Sequence, residues 1–399
     1  MSSEQRHVIP YGRQTITEAD IAAVVTVLRS PFLTQGPAVQ AFEQAVAAKV
    51  GARYGVAVNS ATSALHVACL ALGLGPGDRL WTSPITFVAS ANCGRYCGAI
   101  VDFVDIDRAT GLMSMEALET KLQQAEREGT LPKVLVPVHL AGSSCDMEVI
   151  GVLAERYGFT VLEDASHAIG GRYQGEPVGN CRHSAITVFS FHPVKIITTG
   201  EGGLTTTNDP LLAQRMAELR SHGIVRDAER FEQPAAGPWV YEQQQLGFNY
   251  RITDLQAALG LSQLQRLDAI VAERNRQLQR YRELLADLPV KLLEVPEDVL
   301  SSVHLAVIRL QQATAKQHRQ VFEGLRAAGI GVQLHYSPVH LQPYYRAMGF
   351  AEGQFQGAET YASSAISLPL FPGLSAADQQ RVAAALAEQL QAGATEMVA

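Results

Sequence analysis

The sequence predicts an α/β protein in which a large domain with a mostly parallel sheet precedes a smaller α+β domain. From Gly51 to about residue 250, short runs rich in β-branched residues alternate with helical patterns. A long stretch of helical periodicity then runs from Arg251 to about Leu288, followed by further strand and helix patterns. The chain has 399 residues, 47% of them hydrophobic, enough to bury two cores. We therefore expect domains over residues 1–250 and 251–399.

An amphipathic helix is expected near the N-terminus. Thr17 and Asp20 have the spacing of a capping box, which marks the start of a helix. The apolar stripe of this helix would consist of Ile21, Val24, Val25 and Leu28.

Short apolar runs predict the strands of both domains. In the large domain they read YGVAV, IVDFVDI, KVLVPVHL, FTVLED, AITVFSF and LTTTN, separated by helical patterns such as SMEALETKLQQAE and MEVIGVLAERYG. In the second domain, VHLAVIRL and GVQLHY predict strands, whereas KQHRQVFEGLRAAG and AADQQRVAAALAEQLQ predict helices. Ligands of parallel sheets bind beyond the carboxyl ends of the strands, so polar residues directly after apolar runs are the first candidates for a site.

The composition argues against several classes of function. The net charge is -7, from 32 Lys plus Arg against 39 Asp plus Glu, which disfavours non-specific binding to nucleic acid or to an anionic membrane. We find no apolar run of the roughly 18 residues that a membrane span needs and no signal-peptide core, so a cytoplasmic location is expected. Five scattered cysteines predict reduced thiols rather than a disulfide framework.

A metal site is not expected. Cys93 and Cys97 lie four residues apart but lack further ligands at metal spacing, and we interpret them as buried small side chains. His335 and His340 are separated by Pro338, which breaks the helical register that would bring their rings together.

The first candidate for a functional site follows the strand YGVAV. Residues 59–63 read NSATS and open a helix, where small side chains let a ligand approach the backbone. The exposed N–H groups and the helix dipole there favour an anion such as phosphate. The same pattern is also that of an ordinary N-cap.

Two further candidates follow later strands. FTVLED ends on Glu163 and Asp164, and a carboxylate there can bind a protonated ring nitrogen or can be an ordinary turn residue. Lys195 lies in SFHPVKIITTGEGG, between the apolar run 184–191 and a glycine-rich turn. Its amine is either desolvated for Schiff-base chemistry or extends outward to solvent. An anion cradle, a carboxylate and a lysine in this order jointly fit pyridoxal 5'-phosphate.

With these motifs the chain resembles the fold type I pyridoxal-phosphate enzymes, which have the aspartate aminotransferase-like fold. Within them it is similar to the nucleotide-sugar aminotransferases of the DegT/DnrJ/StrS family. The resemblance runs from FLTQGPAVQAFEQAVA through NSATSALHVA, EDASHAIGG, SFHPVK and GEGG to GFNYRITDLQAALG and LHYSPVHLQPYY. It therefore covers nearly the whole chain.

The resemblance implies three catalytic residues. Lys195 would form the Schiff base with pyridoxal 5'-phosphate and move the proton during amino transfer. Asp164 would pair with the pyridinium nitrogen and keep it protonated. His167 would lie beside the phenolic oxygen of the ring, a position at which the family usually has Gln or His.

The resemblance also implies a set of cofactor contacts. Phe87 would stack on the ring, and the phosphate would be held by Ala61, Thr62 and Ser190. Asn249 would reach the phosphate bound by a neighbouring subunit, because this family builds its site across a homodimer.

The implied reaction is a ping-pong transfer of the amino group of L-glutamate to C4 of a UDP-linked 4-keto-6-deoxy-N-acetylhexosamine. WTSPITFVASANC, SFHPVKIITTGEGG and HYSPVHLQPYYRAMGF are most similar to members that act in pseudaminic acid biosynthesis. His192, His335 and Tyr336 hold family positions that suit sugar or nucleotide contacts, or they pack beneath the loops.

Three alternative functions remain open from the sequence. A dTDP-linked or D-configured keto sugar is an alternative substrate, because loop residues decide this choice. A sugar dehydratase of the same family is disfavoured, since those relatives have histidine at the position of Lys195. A non-catalytic regulator would not need Lys195, and neither a helix-turn-helix nor a basic patch stands out.

Overall fold

A computed structural model describes residues 8–395 of the chain. The strands are β1 (Tyr54–Val58), β2 (Arg79–Thr82), β3 (Ile100–Phe103), β4 (Val134–Val136), β5 (Thr160–Asp164), β6 (Arg172–Tyr173), β7 (Glu176–Pro177), β8 (Ile186–Ser190), β9 (Gly203–Thr207), β10 (Ile224–Val225), β11 (Glu242–Gln243), β12 (Val290–Leu292), β13 (Val299–Leu300), β14 (Ala306–Leu310) and β15 (Ala365–Leu368).

The α-helices alternate with these strands. They are α1 (Glu18–Leu28), α2 (Pro37–Val50), α3 (Ala61–Ala71), α4 (Ala89–Tyr96), α5 (Met115–Glu128), α6 (Met147–Tyr157), α7 (Pro210–Leu219), α8 (Asp254–Leu264), α9 (Leu267–Leu284), α10 (Ala315–Ala327), α11 (Pro343–Arg346), α12 (Gln356–Ala362) and α13 (Ala376–Thr395). Within residues 8–395, none of the helices combines the length and the hydropathy needed to cross a bilayer.

The central sheet confirms the predicted mostly parallel α/β architecture. Its strand order in the described part of the chain is β1-β9-β8-β5-β4-β2-β3. Pairing is parallel from β8 through β5, β4 and β2 to β3, whereas β9 runs antiparallel to both of its neighbours. The register pairs Asp164 with Val188, so the carboxyl ends of β5 and β8 lie side by side. This edge of the sheet is where a ligand is expected.

The apolar runs of the sequence supply the interior of this sheet. Strands that are covered on both faces are apolar almost throughout, and β4 and β8 are buried along their whole lengths. The helix α3 adds Leu65 and Ala68 to the same interior. A second apolar cluster surrounds the antiparallel sheet β12-β14-β15 and includes residues of α10 and α13.

The N-terminal helix forms as predicted, but its apolar stripe is only partly covered by the described residues of this chain. Thr17 and Asp20 make the capping box. Asp20 is fully buried, and its carboxylate accepts a hydrogen bond from Arg266 at 2.6 Å, which ties α1 to the chain just after α8. Ile21 and Leu28 are 47% and 56% exposed. A buried charge therefore helps to hold this helix in place.

Two predictions for the second part of the chain need correction. The run GVQLHY was predicted as a strand, but it meets β15 only through an isolated bridge between Gln333 and Ser367. The periodic stretch after Arg251 is two helices, α8 and α9, which are separated at residues 265–266. Ile9 pairs with Ile330, so the segment before α1 packs against the C-terminal part of the chain. The division at residue 250 stays a prediction.

Candidate active site

A cavity of about 830 Å³ opens beyond the carboxyl ends of β1, β5 and β8. Strands from distant parts of the sequence end at this edge, which brings the polar residues that follow them together. The predicted site residues that line the cavity are Ala61, Thr62, Phe87, Asp164, His167, Ser190, His192, Lys195, His335 and Tyr336.

The start of α3 forms a cradle for an anion at one wall of the cavity. Ser60 is the N-cap, and its hydroxyl accepts a hydrogen bond from the backbone N–H of Ser63 at 3.1 Å. The backbone N–H groups of Ala61 and Thr62 belong to the first helical turn and have no acceptor inside the helix. The positive end of the dipole of α3 therefore faces the cavity.

Gly203 allows β9 to pack directly against this cradle. A Cβ atom at this position would lie 2.5 Å from the carbonyl oxygen of Ser60 and 2.6 Å from the backbone nitrogen of Ala61. Such distances are far below van der Waals contact, so only glycine fits. The final glycine of the motif GEGG is therefore a steric requirement of the cradle.

The carboxylate of Asp164 is fixed from two sides at the end of β5. Its Oδ2 accepts a hydrogen bond from the hydroxyl of Ser90 at 2.6 Å, and its Oδ1 accepts one from the backbone N–H of Ser166 at 3.1 Å. The preceding residue, Glu163, makes a different set of contacts and binds His139 at 2.7 Å. Successive strand residues point to opposite faces, which separates the two carboxylates.

Lys195 lies in a turn after β8, where its backbone N–H donates to the carbonyl of His192 at 2.9 Å. The side chain lines the cavity with Asp164. Burial lowers the pKa of the Lys195 amine to about 8, although the nearby Asp164 carboxylate opposes this shift. The amine is therefore desolvated rather than directed into solvent, and a substantial neutral fraction exists near pH 8.

The imidazole of His167 is held in one tautomer. Its Nδ1 accepts a hydrogen bond from the backbone N–H of Ala141 at 3.3 Å, so the proton of the neutral ring is on Nε2. Nε2 lies 3.2 Å from the hydroxyl of Tyr336. Burial, together with the charges of Lys195 and His335, lowers the pKa of His167 well below its usual range. His167 is therefore a neutral hydrogen-bond donor in the cavity.

His335 is fixed beside this pair. Its Nδ1 lies 2.8 Å from the hydroxyl of Ser367, and its carbonyl accepts a hydrogen bond from Tyr361 at 2.8 Å. Burial and then the charge of Lys195 lower the pKa of His335 to about 4. It is neutral at physiological pH.

The rim of the cavity is more exposed. Phe87 is 58% exposed, and its ring centroid lies 6.3 Å from that of Tyr336. His192 and Glu201 approach each other at 3.9 Å, and both side chains are about half exposed. These side chains are accessible to a ligand that enters the cavity.

Sequence reasoning missed several residues of the cavity. His304 is buried, its ring centroid lies 4.4 Å from that of His167, and no hydrogen-bond partner of its Nδ1 is found within residues 8–395. Tyr11 contributes a ring 5.6 Å from that of His335. The one available signal was a histidine inside the apolar run VHLAVIRL, because such a position is unfavourable unless the ring has a partner.

Asn249 is the predicted site residue that does not line the cavity. It is exposed and forms an isolated bridge with Ser221. Its predicted contact with a neighbouring subunit stays a prediction.

The geometry suits a phosphorylated pyridine aldehyde. The helix start offers N–H groups to a phosphate, Asp164 offers a fixed carboxylate to a ring nitrogen, and Lys195 offers a desolvated amine to an aldehyde. The cavity volume of about 830 Å³ lies in the range of ligand pockets that hold a cofactor together with a substrate.

A protein-family model and a known relative each match most of this chain. Residues 14–387 match the model of the DegT/DnrJ/EryC1/StrS aminotransferase family. The chain is 38% identical over 380 residues to the spore coat polysaccharide biosynthesis protein SpsC of Bacillus subtilis (strain 168), covering 94% of this chain and 95% of that protein.

Solved structures share the whole fold. The putative sugar aminotransferase Spr1654 of Streptococcus pneumoniae, in its PMP form, has a TM-score of 0.89 at 30% identity over 96% of this chain and 99% of that one. Helicobacter pylori PseC, an aminotransferase involved in the biosynthesis of pseudoaminic acid, has a TM-score of 0.88 at 30% identity over 97% and 100%. The chain therefore belongs to the DegT/DnrJ/EryC1/StrS aminotransferase family, and it is a pyridoxal-phosphate-dependent sugar aminotransferase of fold type I.

Proposed function

We propose that this enzyme transfers the amino group of L-glutamate to C4 of a UDP-linked 4-keto-6-deoxy-N-acetylhexosamine, giving the 4-amino sugar of pseudaminic acid biosynthesis. The observation that carries amino transfer is the desolvated amine of Lys195, which shares one cavity with the fixed carboxylate of Asp164. The proposed sugar is supported by the likeness to Helicobacter pylori PseC over 97% of this chain.

Lys195 is the proposed acid–base and covalent residue. When bound, pyridoxal 5'-phosphate supplies an electron sink for the carbanion that forms when the substrate loses a proton. Lys195 would hold the aldehyde of the cofactor before the substrate binds, and its amine, once released, would take up the proton that the substrate carbon loses. A pKa of about 8 suits this task, because both protonation states are populated near neutral pH.

Asp164 and His167 are proposed to bind two polar atoms of the ring. The carboxylate of Asp164 would accept a hydrogen bond from the protonated ring nitrogen and keep that nitrogen charged. The Nε2–H of His167 would donate to the phenolic oxygen, and the hydrogen bond from Ala141 to Nδ1 keeps the proton of the neutral ring on Nε2 for this role.

The remaining cofactor contacts follow from the cavity lining. Ala61 and Thr62 would bind the phosphate through the start of α3, and Ser190 would add a hydroxyl from the end of β8. Phe87 would cover one face of the ring.

Substrate contacts are proposed at the rim and at the inner wall. His192 is exposed enough to meet the sugar nucleotide, while His335 and Tyr336 face the same cavity from the C-terminal part of the chain. Groups from both sides would therefore enclose the keto sugar.

A homodimer is part of the proposal. Ile21, Leu28, Phe32 and Leu33 are each about half exposed, and apolar side chains gathered in one stretch of sequence are typical of an interface. Asn249 is exposed, as a residue that reaches into a partner would be. The five free thiols are compatible with the reducing cytoplasm, where we propose that the enzyme acts.

A dTDP-linked or D-configured keto sugar is the second candidate substrate. The 38% identity to SpsC, a protein of spore coat polysaccharide biosynthesis, keeps this candidate open, because it relates the chain to a protein of a different pathway. A non-catalytic regulator on the same scaffold is disfavoured, because desolvating Lys195 is costly for a chain that does not use the amine.

The test is a substrate panel. Protein loaded with pyridoxamine phosphate is mixed with UDP- and dTDP-linked 4-keto-6-deoxy sugars of both configurations, and amino sugars are measured by mass spectrometry. Product from the UDP-linked L-arabino 4-keto N-acetyl sugar alone supports the proposal. Product from only a dTDP-linked or D-configured sugar keeps amino transfer and overturns the pathway. Absence of product from every sugar overturns the proposed substrate class.

A further inference from the structure

We propose that Ser90, supported by Thr86, is a positioning residue that aims the Asp164 carboxylate at the cofactor's ring nitrogen. The inference rests on the role proposed above for Asp164. It assigns a task to the first turn of α4, which the three candidate sites predicted from the sequence did not include.

The hydrogen bonds that join Thr86, Ser90 and Asp164 have a defined direction. Ser90 Oγ lies 2.6 Å from Asp164 Oδ2, and Ser90 is fully buried. An ionised carboxylate only accepts, so the hydroxyl of Ser90 donates. Thr86 Oγ1 lies 2.7 Å from Ser90 Oγ, and because the Ser90 proton is already used, Thr86 donates to it. The chain Thr86 to Ser90 to Asp164 therefore has one direction.

A competing acceptor for Ser90 is weaker. Its hydroxyl also lies 3.3 Å from the carbonyl of Phe87, the ordinary back-bond of a serine in a first helical turn. Hydrogen bonds to charged oxygens are shorter and stronger than bonds to neutral carbonyls. The 2.6 Å contact with Asp164 therefore decides the orientation of the hydroxyl.

Two donors fix the plane of the Asp164 carboxylate. Ser166 holds Oδ1 from the loop directly after β5, whereas Ser90 holds Oδ2 from α4, 74 residues earlier in the chain. With the Ser90 bond alone removed, the carboxylate keeps one donor and can rotate about its Cβ–Cγ bond. The contact with a ring nitrogen depends on this rotation.

The same segment also carries Phe87. Thr86, Phe87 and Ser90 lie within one turn of chain, and Thr86 and Phe87 line the cavity. The segment therefore acts on the proposed cofactor site twice, through the exposed ring of Phe87 and through the carboxylate of Asp164.

The test measures the ring nitrogen in the holoenzyme. The protein is loaded with pyridoxal 5'-phosphate carrying ¹⁵N in the ring, and the nitrogen chemical shift and the cofactor dissociation constant are recorded. Ser90→Ala should move the shift toward the unprotonated limit and raise the dissociation constant by about tenfold, the size expected for a lost charged hydrogen bond. Thr86→Val should have a smaller effect in the same direction. Ser90→Thr keeps a hydroxyl and should therefore retain the wild-type shift.

Controls separate positioning from loss of packing. Ser83 is also buried, and its hydroxyl binds the carbonyl of Ile85 at 3.3 Å rather than Asp164, so Ser83→Ala should leave the nitrogen shift unchanged. Ser90→Cys is nearly isosteric and keeps the helix packed while it weakens the donor, so it should give an intermediate shift.

The outcomes that overturn the inference are distinct from those that overturn the proposed function. If Asp164→Asn moves the nitrogen shift and Ser90→Ala and Ser90→Cys do not, the Ser90 inference fails alone. An equal effect of Ser83→Ala also overturns it. If Asp164→Asn leaves the shift unchanged, the role proposed for Asp164 fails as well.

Discussion

The floor and the rim of the cavity are built in different ways. The floor consists of Asp164, His167 and Lys195, and hydrogen bonds from neighbouring residues of the chain fix the side chains of Asp164 and His167. The rim consists of Phe87, His192 and Glu201, which are about half exposed, and the side chains of His192 and Glu201 approach each other at 3.9 Å. The difference fits the proposal above, in which the floor serves the chemistry and the rim meets the sugar nucleotide, with a second subunit adding further contacts.

The electrostatics of the floor follow the same division. Burial lowers the pKa values of His167, His304 and His335, so these rings remain neutral beside Lys195. The charge balance of the floor is therefore set mainly by Asp164 and Lys195. The side chains of the rim are in contact with water and ions, which screen their charges.

The largest expected effect is at the floor. Lys195→Ala should reduce amino-sugar formation by at least about 1000-fold, because both the covalent attachment and the proton transfer depend on this amine. The matched control is Lys49→Ala, which removes an exposed lysine paired with Asp268 at 2.7 Å and should keep full activity. Substantial activity in Lys195→Ala would contradict the proposed chemistry.

The next test asks whether a second subunit completes the rim. Leu28→Asp puts a charge on the exposed face of α1, and burying that charge in an interface costs a few kcal/mol. We expect dimer dissociation to become at least about 100-fold easier by analytical ultracentrifugation. Val152→Asp alters another exposed apolar residue, 61% exposed on α6, and should leave association unchanged. A monomeric wild-type enzyme with full activity would rule out the shared site.

The third test measures how much burial of the Lys195 amine lowers the stability of the folded protein. The pKa of Lys195 is about 8 in the folded protein and about 10.5 in the unfolded chain, so folding is penalised while the amine is charged. The penalty is complete below pH 8 and is relieved as the pH rises to 10.5. Cofactor-free Lys195→Met should be more stable than cofactor-free wild type at pH 7, by up to about 3 kcal/mol in urea unfolding. A difference that does not shrink above pH 8 would disprove this origin.

The smallest effect is expected at the rim. His192→Ala should raise the KM for the sugar nucleotide by less than about tenfold and leave kcat nearly unchanged, because an exposed contact contributes little binding energy. His183→Ala is the matched control, since His183 meets Tyr173 edge to face and does not line the cavity. A large loss of kcat in His192→Ala would show that this residue takes part in the chemistry and not only in substrate binding.

Much of the floor could be predicted from the sequence, because it lies next to strand ends. Asp164 directly ends a strand and Lys195 closely follows another, and parallel strands end at the same edge of a sheet. The mostly parallel sheet was predicted for the same reason, since its buried strands are apolar runs.

Contacts between distant segments could not be predicted. Ser90 binds Asp164, and His304 lies against His167, from elements whose sequence patterns show only their own periodicity. Periodicity also shows which face of α1 is apolar but not what covers it, and Asp20 rather than Leu28 turned out to be buried. The run GVQLHY has strand composition, yet Gln333 alone bridges to β15, so composition did not decide pairing.

Gly203 has a consequence for how the cradle tolerates change. Its backbone does not have a left-handed conformation, so larger residues are excluded by space alone. The obstructing atoms belong to the main chain at Ser60 and Ala61, so no substitution at those two positions can remove them. A side chain at position 203 therefore has no simple compensating partner, and a saturation library of this cavity should recover glycine there in every active clone.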